Sequence, residues 1–354
     1  MALQIFGVNY YPAHHPWWRM WCEWDPGEIS AELDIAANLD ANTVRTFLPF
    51  SLIGQLASTP DHRRPLGLSV RDILDRVDQF LGMTAGRQMH AIVSMFDEAE
   101  LLPDLVRNLP ASLSYVEQVL NYVTRDGIRL GDDRRVLMWD LVNELDDEGK
   151  VTRDNPPRPL FIHLNFPQAG GVQYVPSPAG MAWLDAVYRH VYALTGSDRQ
   201  ITFGALNPLT SVYMIKRYPA VRHTPQYHEY LPYNPEQPMQ YLQDVSERMT
   251  ILPLRTGRSP LIGEYGMPSN LTKDNVTWTP ELQNEAARLF LQAVDANSDK
   301  LLGVLHWTLT DWDFQDAVEN AEKYSGLFTV GGKPKPAAAS VQTAYTGYLG
   351  VVPT

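Results

Sequence analysis

Short apolar runs alternate with longer amphipathic stretches along the whole chain, and this alternation predicts its secondary structure. Runs of four to eight apolar residues, bounded by turn residues and rich in Val, Ile and aromatic side chains, read as buried strands. They fall near Leu3–Asn9, Thr43–Leu48, Ala91–Met95, Val136–Glu144, Ile201–Ala205, Gln226–Tyr230, Leu261–Glu264 and Leu302–Leu309. Between them the spacing turns helical. Asp25-Pro26-Gly27-Glu28 offers a cap, a proline at the first helical position and an acid two residues on, ahead of Ile29, Leu33, Ala36, Ala37 and Leu39. Ser69 is placed to cap a second helix whose inner face is Val70, Ile73, Leu74, Val77, Phe80 and Leu81. Further helices are expected near Leu113–Val123, Met181–Leu194, Met239–Met249, Glu281–Asn297 and Ala337–Leu349. Val151–Ser177, rich in Pro and Gly, reads as a long loop. Eight strands, most followed by a helix, predict an α/β fold, a (β/α)8 TIM barrel, as a single domain over residues 1–354.

In such a barrel chemistry sits at the C-terminal ends of the strands. There the sequence places Asn9 and Tyr10, Arg45, Asn143 and Glu144, His228 and Tyr230, Glu264, and Trp307 ahead of Asp311 and Trp312. Glu144 and Glu264 each close a short apolar run, which suggests two carboxyls meeting across one mouth, the pair that glycosidic bond hydrolysis requires. His228 and Tyr230 are two apart on one strand and share a face. The first long loop holds four tryptophans, Trp17, Trp18, Trp21 and Trp24, whose flat faces suit sugar rings. Asp140, inside the fourth strand, is expected to pair within the barrel. No cluster shows metal-ligand spacing, so neither a metal nor an organic cofactor is expected.

Composition narrows the partners. A formal net charge of −12 disfavours polyanions, so neither nucleic acid nor an anionic membrane surface is expected, whereas a neutral glycoside or small oligosaccharide is compatible. No apolar run is long enough to span a membrane. One cysteine, Cys22, allows no intrachain disulfide, and no basic, signal-like start precedes the first strand, so a cytoplasmic location is expected. The sequence sets no oligomeric state.

Asn143-Glu144 ending strand four, His228-x-Tyr230 on strand six, Glu264 ending strand seven and Trp307 on strand eight together resemble the (β/α)8 retaining glycoside hydrolases of clan A, closest to family 5, the cellulase and mannanase family. The resemblance runs from Phe6-Gly7-Val8-Asn9-Tyr10 to Trp307. It implies Glu144 as general acid/base and Glu264 as nucleophile. It also implies Asn143 at the sugar 2-hydroxyl, Tyr230 and Arg45 beside Glu264, His228 beside Glu144, and Trp307 as the floor of the −1 subsite. One feature departs from the family: strand three reads Ile92-Val93-Ser94-Met95-Phe96-Asp97, without the usual histidine, so either Asp97 or another group meets the sugar there, or the chain belongs to a divergent subfamily or a sister family. The alternative is a carbohydrate-binding barrel without catalysis. A phosphate-binding barrel is disfavoured, because Gly263 and Gly266 flank a glutamate rather than forming a phosphate loop. Two long loops, after strands one and four, favour an exo mode or short oligosaccharides.

Overall fold

The computed structural model describes residues 4–56, 67–98, 101–146, 161–166, 171–176, 178–219, 222–273, 276–313 and 322–349. Its centre is a ring of parallel strands: β1 (Ile5–Asn9), β2 (Thr43–Phe47), β3 (His90–Phe96), β4 (Val136–Val142), β5 (Gln200–Thr202), β6 in two pieces (His223–Thr224 and Gln226–Glu229), β7 (Leu261–Tyr265) and β8 (Gly303–His306). Each neighbours the next, and β8 pairs with β1. The two pieces of β6 are the two ends of the hydrogen-bonded order, one on β5 and the other on β7. Pro225 lies between them. It has no N–H to donate, while its carbonyl accepts from Leu261 N at 2.9 Å. A backbone bond from His228 N to Ala205 O (2.7 Å) links the second piece to the chain after β5. The (β/α)8 barrel expected from the sequence is thus present, with one strand broken.

Among the described residues, one helix of ten residues or more follows each strand: α1 (Pro26–Asn38), α2 (Val70–Ala85), α3 (Leu109–Leu120), α4 (Pro178–Leu194), α5 (Pro208–Arg217), α6 (Pro238–Thr256), α7 (Pro280–Ala296) and α8 (Pro336–Leu349). Six of them begin on a proline, whose fixed φ suits the first turn and whose missing N–H costs nothing there. The two expected caps form: Asp25 accepts from the amides of Gly27 and Glu28, and Ser69 with Asp72 makes a reciprocal capping box.

Alternation along the strands separates two cores. Outward-facing Val8, Val44, Val93, Trp139 and Ile262 pack beneath the helices. Ile5, Ile92, Met138, Leu261 and Leu305 form a separate apolar plug inside the ring, and the polar residues of the site stand above it.

The structure corrects several sequence expectations. Strand five is Gln200–Thr202 rather than Ile201–Ala205, and it is followed by a helix, α5, that the hydrophobic pattern did not reveal. That helix starts where Asp146, from the loop after β4, accepts from Leu206 N (2.6 Å), Asn207 N (3.2 Å) and Thr210 Oγ1 (2.7 Å). Part of the expected 151–177 loop is instead an antiparallel hairpin, Phe161–Phe166 with Gly171–Pro176, and the rest of that stretch lies outside the described residues. Among the described residues, no helix is long and apolar enough to cross a membrane.

Candidate active site

The register of the ring brings the polar residues together. Asn9 pairs with Arg45 across β1 and β2, Ser94 with Asp140 across β3 and β4, and His228 with Glu264 across β6 and β7. Partners in adjacent parallel strands point to the same face, so these side chains converge inside the barrel mouth.

Arg45 is the hub and is fully buried. Each of its five N–H groups is used. Nε donates to Asp140 Oδ2 (3.0 Å), Nη1 to Asn9 Oδ1 (2.8 Å) and Glu264 Oε1 (2.5 Å), and Nη2 to Asp140 Oδ2 (2.6 Å) and Asn143 Oδ1 (2.7 Å). Burial opposes the guanidinium charge, but Asp140 and then Glu264 more than offset it, so its pKa is raised. Asn9 in turn donates to the carbonyls of Gly263 (2.9 Å) and His306 (3.3 Å), tying β1 to the two strands on its other side.

Glu264 is 2% exposed and held at both oxygens, by Arg45 on one and by the Tyr230 hydroxyl on the other (2.6 Å). Burial of that hydroxyl, followed by the charges of Glu264 and Glu144, pushes the Tyr230 pKa well up, so it remains a donor at any working pH. The rest of Tyr230 is open, at 38% exposure. Across the mouth, Glu144 lies two residues past the end of β4, in the left-handed region (φ 50°), with its side chain 14% exposed. A residue with a Cβ is strained there. His228 stands between the two acids, with Nδ1 3.3 Å from Glu144 Oε1 and 3.5 Å from Glu264 Oε2. One side-chain oxygen from each glutamate and a ring nitrogen of His228 all lie within 4.8 Å of one another. Such a trio can ligate a metal. Ligand atoms around a tetrahedral ion at about 2 Å sit roughly 3.4 Å apart, close to the two His228 distances, but both oxygens of Glu264 already accept hydrogen bonds.

An aromatic wall adjoins the carboxylates. Trp307 is 8% exposed and meets Phe47 (5.9 Å between centroids) and Trp312 (5.8 Å) edge-on. Tyr11 stacks on Phe47 (5.1 Å) and Trp17 (5.5 Å), and Trp17 meets Trp312 (5.5 Å). The loops after β1 and β8 are fastened by a bond from Asp313 N to Ala13 O (2.8 Å). Of the four loop tryptophans, Trp17 joins this wall. Trp21 is buried instead, with its indole N–H on Phe47 O (2.7 Å).

All seven residues expected at the site therefore converge: Glu144, Glu264, Asn143, Arg45, His228, Tyr230 and Trp307. Their placement differs in detail. Glu264 is the penultimate residue of β7, and Tyr230 and Trp307 each lie one residue past their strands. Asp311 is buried in an ion pair with Lys335 Nζ (2.5 Å). Where the sequence lacks a histidine, Asp97 follows β3 and accepts from the Tyr11 hydroxyl (3.3 Å). Gln226 was not anticipated. It donates to Asp140 Oδ2 (3.3 Å), and its place two residues before His228 on the same strand was the available signal.

No family model and no curated protein matches the chain. Solved structures do. The structural neighbours include GH5_18 glycoside hydrolases. One, from Bifidobacterium longum subsp. longum, superposes with a TM-score of 0.69 at 18% identity, covering 100% of this chain and 81% of that one. Another, from Streptomyces cattleya, in complex with GlcNAc, gives 0.68 at 17% identity over 100% and 82% of the two chains. An exo-β-1,4-mannosidase from an Opitutaceae bacterium gives 0.64 at 16% identity over 98% and 59%. At these identities the likeness establishes the (β/α)8 fold over essentially the full length of the chain.

Proposed function

We propose that this chain is a retaining β-glycosidase of clan A, a divergent relative of family 5, acting as one catalytic domain on short, neutral, β-linked glycosides. The observation that carries the reading is the approach of Glu144 and Glu264, with carboxylate oxygens within 4.8 Å at the open end of the barrel. Retaining enzymes hold their two carboxyls about 5 Å apart, whereas inverting ones leave roughly 6.5–9.5 Å for a water.

In this mechanism Glu264 acts as the ionised nucleophile. Arg45 and Tyr230 aim it, one at each oxygen. It attacks the anomeric carbon and forms a glycosyl ester. Glu144, protonated, gives its proton to the departing oxygen. With the ester formed, Glu144 takes a proton from water, and the resulting hydroxide breaks the ester with net retention. Asn143, 2.7 Å from Arg45, is fixed to meet the sugar 2-hydroxyl, and Trp307 floors the −1 subsite. The clasp between the first and last loops and the wall of Trp17 and Trp312 support an exo mode. A structural neighbour crystallised with Manβ1-4GlcNAc supports a short β-linked substrate.

The test is chemical rescue. Glu264→Ala is expected to lose most of its turnover of aryl β-glycosides, by a factor on the order of 10⁴ or more. Added azide should then restore turnover through the inverted glycosyl azide. Wild-type rates in Glu264→Ala, or rescue that yields the retained azide, would overturn the assignment of Glu264. A panel of β-glucoside, β-mannoside and β-galactoside then fixes the glycone.

A further inference from the structure

Asp140 has no part in the mechanism above, yet it is fully buried and accepts from four donors. Oδ2 accepts from Arg45 Nε and Nη2 and from Gln226 Nε2, and Oδ1 accepts from Gly204 N at 3.1 Å. Two chains of contacts leave it. One runs through Arg45 to Glu264. The other runs through Gln226, whose Nε2 also lies 3.4 Å from His228 Nε2, and on to His228 and Glu144.

The second chain fixes a proton. Asp140, ion-paired to Arg45, offers only acceptors, so Gln226 must turn its NH2 toward it. Its other N–H then points at His228 Nε2, which must accept. A neutral imidazole that accepts at Nε2 carries its proton on Nδ1. Nδ1 is the atom facing Glu144 and Glu264. Packing leaves Gln226 little choice of position, since a methyl group on Gly263 would lie 2.5 Å from its Nε2.

We propose that Asp140 is the common positioning residue for both glutamates, steering Arg45 onto Glu264 directly and, through Gln226, directing the His228 proton toward Glu144. This rests on the glycosidase reading for its kinetic consequences, but not for its geometry. Among the described residues, Glu264 faces Arg45, Tyr230, His228 and Tyr11, Glu144 faces His228 and Tyr230, the two acids face each other, and Glu322 acts on Tyr230. His228 in turn interacts with Asp146 from the β4 loop.

The first measurement needs no variant of the relay. Imidazole ¹⁵N shifts of histidine-labelled protein at pH 7, with His228 assigned by its loss in His228→Asn, should show Nδ1 protonated and Nε2 bare. An Nε2–H tautomer or a doubly protonated ring overturns the proposal. The pH dependence of kcat/KM then separates the two branches. Asp140→Asn leaves the Arg45 charge unshared, and the acidic limb should move to lower pH by about one unit. Gln226→Leu should leave that limb in place and move the basic limb to higher pH, because Glu144 loses the donor that favours its ionised form. It should also bring up the Nε2–H tautomer. Lowered activity with an unchanged pH profile in both variants means a merely structural role and overturns the proposal. Should Asp140→Asn fail to fold, the wild-type tautomer and Gln226→Leu still decide it. The expected tautomer in a protein with no turnover on any aryl glycoside would sink the hydrolase reading alone.

Discussion

Glu32 offers a quantitative test of how the first loop is held. It lies on α1, 7% exposed, with Oε2 accepting from the Tyr10 hydroxyl (2.9 Å) and Oε1 from Ala13 N (3.1 Å). Burial drives its pKa up from 4.5 to about 7, against the lowering effect of those two bonds and with a small push from Glu28. The sign follows from proton counting. Between those two values the folded protein keeps a proton that the unfolded chain has released, so stability falls as pH rises through this window. A difference of about 2.5 units at 1.36 kcal/mol each gives roughly 3 kcal/mol, present below pH 4.5 and lost above pH 7. Glu32→Gln imitates the protonated acid at every pH. Urea unfolding of both proteins from pH 4.5 to 8.5, taken as a difference, cancels every other titration. The variant should be close to wild type at the acid end and gain up to about 3 kcal/mol at the alkaline end. A difference that does not change with pH refutes the reasoning. Ala13 also receives Asp313 N, so the same carboxyl steadies the clasp between the first and last loops.

Two further outcomes are expected. Glu144→Gly should be inactive yet more stable by about 1 kcal/mol, since glycine accepts the left-handed backbone without strain; thermal melting that shows no gain counts against strain at φ 50°. Lys335→Met strands Asp311 in a buried site and should cost about 3–5 kcal/mol in urea unfolding, most of it recovered in Lys335→Met/Asp311→Asn; equal losses in the single and double variants would exclude the ion pair as the cause.

Much of this architecture is legible in the chain because the barrel repeats one simple grammar. Strands buried on both faces read as apolar runs, and helices open on Asp-Pro or Ser with an acid behind. The two glutamates, Arg45, Asn143, the His228–Tyr230 pair and Trp307 are legible because strand ends locate the mouth. What was not legible depends on contacts distant in sequence. Strand five is read in the right place but with the wrong ends, because Gln200–Thr202 is too short for a period to set them. Helix α5 does carry a local start, Asn207 capping Leu209 N with Pro208 at the first position, but the Asp146 carboxylate that holds the two amides ahead of it comes from another loop. Trp17 and Trp21 lie in one loop with the same composition around them, yet one meets the site and the other is buried. Asp140 reads as an internal salt-bridge partner, as it is, but its link to His228 needs Gln226 and the space above Gly263.

The break at Pro225 leaves the cylinder its shortest ladder. β2 and β3 are laced from Thr43↔His90 to Phe47↔Ser94, whereas β5 and the first piece of β6 share only Ile201↔His223 and Thr202↔Thr224. The upper piece, which carries His228, is laced to β7 instead. The His228 N–H still donates to Ala205 O (2.7 Å), so the residue standing between the two acids also closes the seam and is held from both sides.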